Sequence, residues 1–259
     1  MINNNSNQLK RMQKSSIVCS INKAKEETRL TSHFGGTPDV PKGFIWPQYK
    51  DENLEEIYSI DFIVQFNCEE LKKYDKENLL PSEGLISIFY DIEGQPHEGY
   101  SDDNGCLRVF FFSNIKELVL AEYPDDISEM QRLPYYSLNM GNKFTYPSYE
   151  DYELLFGKKK EDERNRTYLL LDNLHTSQQD EDLKVFGWGD VIQNSILADL
   201  KEKDTKISVE KQVLLLQANS IQNDDFELLF GDCGSIFMYM NKDDLLKCKF
   251  ENVYLQLQS

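Results

Sequence analysis

The sequence predicts a β-rich α+β protein with antiparallel strands, and three observations predict it. Short apolar runs rich in Phe, Tyr, Ile and Val recur along the chain, which carries 15 Phe and 14 Tyr. Turns bearing glycine or proline separate many of these runs. Strand-like and helix-like segments do not alternate as parallel βαβ units would require, so antiparallel pairing through short connections is expected.

Taken in order, residues 1–15 are Asn-rich and polar and are expected to fray, with a single domain over 16–258. A first strand is expected over 16–21, followed by a charged stretch, 23–29, that reads as a short helix or a loop. Ser32-His33-Phe34-Gly35-Gly36-Thr37-Pro38, Pro41 and Trp46-Pro47 then form an ordered but irregular connection. Paired glycines permit positive φ, and each proline pushes its predecessor out of the helical region. The nearly continuous apolar run 60–66 reads as a strand covered on both faces. Asn67 with Glu70 three residues on is a capping-box variant and predicts a short helix over 68–74. Strands follow over 85–90, 106–112 and 117–123, with a polar loop over 92–105.

Ser148 opens a helix over 149–156 that Gly157 ends. The mixed-charge run 158–166 reads as a solvated loop or helix start, and 168–174 as helix. Phe186-Gly187-Trp188-Gly189-Asp190 is a second Gly/Trp turn, and Asp190 is expected to cap a helix running to about residue 201. The last strands are expected over 208–219, 235–240 and 250–257. In the final one Val253, Leu255 and Leu257 alternate with Asn252, Tyr254, Gln256 and Gln258, which predicts one face on the core and one partly wet.

Composition bounds the partners. The 259 residues include 28 Lys and Arg against 45 Asp and Glu, a formal charge of −17. That balance opposes sequence-independent nucleic-acid binding, which needs a basic face, and docking on an anionic membrane. It favours encounter with a basic partner. No apolar run reaches the ~18 residues that span a bilayer, and no apolar core follows the first residues as in a secretory signal. Five cysteines without a Cys-x-x-Cys pair read as reduced thiols in the cytosol. A cytoplasmic protein is expected.

Two segments repeat a pattern. Phe62-Ile63-Val64-Gln65-Phe66-Asn67 leads to Gly84 and a second apolar strand, and Leu214-Leu215-Leu216-Gln217-Ala218-Asn219 leads to Gly234 and another. Repeat halves are therefore expected over about 55–125 and 205–258. A glutamine in an apolar strand must place two donors and an acceptor, and an unsatisfied buried amide costs about 1–3 kcal/mol. Gln65 and Gln217 must therefore bond irregular backbone nearby, the Gly35-Gly36 and Gly187–Gly189 turns being the obvious partners, or line a cleft.

Ser32-x-Phe34-Gly35-Gly36-x-Pro38-x-x-Pro41, then Trp46-Pro47, then Gln65 and Asn67 in an apolar strand, are followed by Leu80-Pro81, Gly84-Leu85 and Phe89-Tyr90-Asp91. Gly187, Asp190, Ile192 and Gln193 come later, and Gln217 precedes Gly231-Asp232-x-Gly234. Over about 16–258 this combination resembles the YwqG-like family, a bacterial domain of unknown function. The resemblance implies a β-rich, roll-like fold of two related halves and implies no activity. Where the family pattern has Gly-Tyr-Pro, this chain has Gly187-Trp188-Gly189, a freer turn.

The sequence offers little chemistry. No Gly-x-Ser-x-Gly elbow is present, and the nearest segment, Gly231-Asp232-Cys233-Gly234-Ser235, reads as a turn holding an ordinary thiol. No phosphate-binding glycine loop is present. Asp102-Asp103-Asn104-Gly105 lacks the distal glutamate of a calcium loop. Three histidines without zinc-ligand spacing predict no metal site. No catalytic residue and no cofactor are assigned. The expected function is that of a non-enzymatic binding or accessory protein holding a protein partner with a basic surface. The alternative is a small-ligand binder or enzyme with a site between the two halves, lined by Trp46, Gln65, Trp188, Gln193 and Gln217.

Overall fold

The computed structural model describes residues 10–51, 56–101, 105–176 and 181–259. Among the described residues seventeen strands run in chain order. The first nine are β1 (Lys14–Lys23), β2 (His33–Phe34), β3 (Asp39–Pro41), β4 (Gln48–Asp51), β5 (Glu56–Ser59), β6 (Asp61–Asn67), β7 (Leu85–Tyr90), β8 (Glu98–Tyr100) and β9 (Leu107–Phe112). The others are β10 (Leu118–Leu120), β11 (Tyr136–Thr145), β12 (Leu183–Phe186), β13 (Gln212–Asn219), β14 (Ile221–Gln222), β15 (Glu227–Leu228), β16 (Ser235–Asn241) and β17 (Tyr254–Gln258). Helices accompany them, among them α1 (Cys68–Lys72), α2 (Tyr149–Phe156), α3 (Glu161–Thr176), α4 (Ile196–Lys203) and α5 (Lys242–Leu245).

Eleven strands form one sheet, ordered β8-β17-β16-β13-β12-β1-β11-β2-β6-β7-β9, and every pairing in it is antiparallel. The fold is thus β-rich α+β and roll-like. The connections are longer than short turns: sheet neighbours such as β1 and β12 lie far apart in the chain, because the ten-residue pair β1–β11 occupies the centre. Outward from that pair the order recurs. β1 carries β12, β13, β16 and β17, and β11 carries β2, β6, β7 and β9. The ladders β6–β7 and β13–β16 both slip register, at Ile63 and at Leu215, two residues before each glutamine. A bulge at the same place in both ladders bends both flanks alike.

One face of the sheet encloses the main core, including Ile63, Val64, Ile88, Leu216, Met238 and Leu255. On the other face each flank has its own cover. Trp46, Ile60, Phe62, Phe89 and Ile127 pack over one, and Trp188, Leu214, Phe237, Tyr239 and helix α4 over the other. The face of β17 expected to be partly wet is so: Asn252, just before it, is exposed and Gln256 half-buried, while the second cover buries Tyr254 and Gln258, with Gln256 bonding Asp199 of α4 and Gln258 accepting the Ile192 N–H. Helix α4 starts later than expected, at Ile196, with Ser195 as its N-cap, since Asp190 is engaged elsewhere. The fraying expected over 1–15 falls partly on residues outside those described; within it Met12 is buried against Tyr152 and Leu171. The Asp102-Asp103-Asn104 segment lies outside the described residues.

Asp61, at the start of β6, accepts the Ile92 N–H, yet burial pushes its carboxyl up to about 6, with Asp91 and Glu93 adding repulsion. The native chain holds this proton more tightly than the unfolded chain. Its stabilising contribution is full below the ordinary value of 3.8 and is lost as the pH rises to about 6. Asp61→Asn is therefore expected to match the wild type near pH 4 and to exceed it in stability at pH 7, read by urea unfolding at both. A variant less stable than wild type at pH 7 would contradict this.

Candidate functional site

The structure disperses the five residues expected to line a common cleft. Trp46 donates its indole N–H to Ile60 O (2.8 Å) and packs edge-on to Phe89. Trp188 donates to Met12 O (2.6 Å), with the Lys14 ammonium 3.8 Å above its ring. Gln193 is exposed and its amide reaches Ser259 O. Gln65 and Gln217 are buried on opposite flanks, separated by β12, β1, β11 and β2. Among them only Trp188 and Gln217 share a neighbourhood, through Lys184 and Asp190.

Both buried amides make the same bonds. The Asp39 N–H donates to Gln65 Oε1 (2.8 Å), and Gln65 Nε2 donates to Asp39 Oδ2 (3.2 Å). The Asp190 N–H donates to Gln217 Oε1 (2.9 Å), and Gln217 Nε2 donates to Asp190 Oδ2 (3.1 Å). Each aspartate follows a turn with two successive positive-φ residues, Gly35-Gly36 in one and Phe186-Gly187 in the other. Positive φ strains a phenylalanine, and Phe186 holds it while buried in the core. Gly189 is needed for a different reason: a Cβ there would lie 2.8 Å from the Tyr239 hydroxyl.

The clamps differ in their cations. Asp39 pairs with half-exposed Arg29 (2.9 Å), while Asp190 pairs with Lys184, both buried. Burial depresses the Lys184 ammonium below the ordinary lysine value, with Asp190 opposing that shift. His33 of β2 pairs with Gln65 of β6 as Lys184 of β12 pairs with Gln217 of β13. It keeps its Nδ1 on Gly35 O (2.7 Å), and burial holds its imidazole below the usual value.

A separate opening lies at the centre of the sheet. It is a cleft of about 390 Å³ between the loop carrying Thr28, Thr31 and Ser32, the end of α1 with Glu70, Lys73 and Tyr74, and β11 from Ser137 to Met140. It exists because β2 is short, pairing only with Tyr136 and Ser137 of β11. The Ile21 N–H donates outward to Asp182 Oδ2 (2.8 Å), so Ile21–Leu138 is a non-hydrogen-bonded pair in the β1–β11 ladder. Cys19–Met140 has the same parity. The backbone groups of Leu138 and Met140 therefore point away from β1, along the cleft. Glu70 accepts the Ser32 N–H (2.8 Å), and Asn142 ties the far end to Tyr74 O (2.7 Å).

Sequence reading missed this cleft, since nothing local marks where a strand falls short of its neighbour. It also missed Asp39 and Lys184; the recurrence of Asp after each glycine turn was the available signal. Cys19 and Cys68 are buried with thiols pushed up to about 12 by burial, and Cys233 is exposed. Among the described residues no group of three or more His, Cys, Asp or Glu is placed to hold a metal ion, and no helix is long and apolar enough to cross a membrane.

Residues 32–259 match the family model for a domain of unknown function, DUF1963. The chain belongs to this family. The matched span of the DUF1963 domain contains both glutamine clamps and β11, whereas β1, at the centre of the sheet, precedes it. No curated protein matches the chain.

Proposed function

We propose that this DUF1963 protein is a non-catalytic binding protein of the YwqG-like type, formed by internal duplication and working in a bacterial cytoplasm, and that it holds an extended segment of a protein partner along β11. The observation that carries this is the strip of strand edge beside α1, where Leu138 and Met140 present backbone groups beyond the end of β2. An extended peptide joins such an edge through main-chain hydrogen bonds. The charge of −17 steers basic partners toward the molecule. The duplication is supported by the shared strand order, bulges and glutamine bonds, and the YwqG-like assignment by the motifs quoted above.

The cleft's volume favours a second reading, since about 300–1,000 Å³ is the range of small-molecule pockets. A crosslinking capture from native lysate, with a photoreactive group at exposed Lys73, tests the first reading. A partner crosslinked at this position, with an association rate that falls as salt rises, supports it. Loss of every adduct at both low and moderate salt counts against it and leaves the small-ligand reading to a thermal-shift screen.

A further inference from the structure

The recurrent geometry tells what the cleft lacks. Ser137 of β11 pairs with His33, which pairs with Gln65; Val18 of β1 pairs with Lys184, which pairs with Gln217. Three residues further along each strand, Met140 of β11 stands where Ile21 stands in β1. Asn67 Nδ2 donates to Leu30 O (2.7 Å), and Asn219 Nδ2 donates to Glu181 O (2.6 Å). Thr31, the next residue after Leu30, therefore corresponds to Asp182. In one flank the outward amide, Ile21 N–H, is capped by a carboxylate of the protein itself. In the other the corresponding residue is a threonine whose hydroxyl donates to Thr28 O (2.8 Å), and the Met140 amide faces the cleft.

We infer that this position takes a carboxylate from outside, the carboxyl terminus of the bound segment, seated on the Met140 N–H as Asp182 is seated on Ile21. Two features fit. A backbone N–H donating to a carboxylate makes a charge-assisted bond, roughly twice as strong as a neutral one. Lys73 lines the same cleft and supplies a cation, while the Glu70 carboxylate is already held by the Ser32 amide. The inference rests on the reading of the cleft as a segment-binding edge, and the test separates the two.

The probes are sodium acetate and an acetylated Lys-Val-Thr-Val tetrapeptide, prepared with a free carboxyl terminus and as the carboxamide. Backbone amide NMR of the whole chain reads the response. The Met140 amide is expected to shift with acetate and with the free peptide, while Ile21, already capped, stays still. The carboxamide is expected to bind about tenfold more weakly. Thr31→Asp installs in this flank the carboxylate that the other flank carries. It is expected to keep the fold and weaken the free peptide about tenfold or more, and Lys73→Gln, an exposed change, to weaken it several-fold. If free and amidated peptides bind equally and Thr31→Asp changes neither, the carboxylate seat is wrong while strand addition stands. If no probe shifts any amide of the cleft at millimolar concentration, both fail.

Discussion

Replacing Lys184 by methionine is expected to destabilise the protein by about 3–5 kcal/mol, because it leaves a buried carboxylate without its cation. Asp190 is held by Gln217 through its N–H and Oδ2, but its Oδ1 has no hydrogen-bond partner among the described residues. Lys184 is the cation that contacts it, and both side chains are almost wholly buried, at 2% and 3% exposure. The corresponding change on the other flank, Arg29→Met, is expected to cost about 1 kcal/mol or less, since Arg29 is 46% exposed. Asp39 keeps the Leu30 N–H at 2.6 Å and the Gln65 amide after Arg29 is lost. Urea midpoints of the two variants at pH 7 measure the difference. Equal losses would mean that burial does not set the strength of these pairs.

Elements with purely local signals were legible in the sequence. The run Leu85–Tyr90 is apolar at every position but Ser87 and is a strand buried throughout. Helix α2 begins at Tyr149 after its Ser148 cap and stops at Gly157, as the residues dictate. Gln65 and Gln217 could be singled out because an amide in an apolar strand must find partners. The structure pairs them with Asp39, three residues past Gly36, and with Asp190, the last residue of the Phe186–Asp190 turn segment.

What was not legible depends on distant pairing. β11 is the longest partner of β1, yet Ser137, Asn139, Gly141, Asn142 and Lys143 give it a polar composition that hides the alternation of Tyr136, Leu138 and Met140. Its polar residues are tolerated because neither outer cover spans the central pair, where Ser20 and Asn139 are exposed. Asp190 carries the chemistry of an N-cap, and only Lys184 and Gln217, brought in by β12 and β13, show why it serves an ion pair instead. The cleft is invisible for the same reason. It is defined by the mismatch between a two-residue strand and a ten-residue one, and by a threonine standing where the other flank has an aspartate.

Gln65→Leu and Gln217→Leu should each cost on the order of 2–4 kcal/mol, and by nearly the same amount. Each replacement strands a buried aspartate N–H, worth about 1–3 kcal/mol, and removes a charge-assisted bond from Nε2 to the carboxylate. Leucine fills a similar volume, so cavity formation adds little. The two sites have different surroundings: Phe237 lies across the ladder from Gln217, Ser87 across from Gln65, and the aspartates carry cations of unequal burial. Equal losses at the glutamines beside unequal losses at Lys184 and Arg29 would show that the amide clamp is the shared structural device and the cation the variable one. Thermal or urea unfolding of the four single variants measures this in one series. If Gln217→Leu were far costlier than Gln65→Leu, the clamp would be an accessory of the buried Lys184–Asp190 pair, and the likeness of the flanks would stop at strand order.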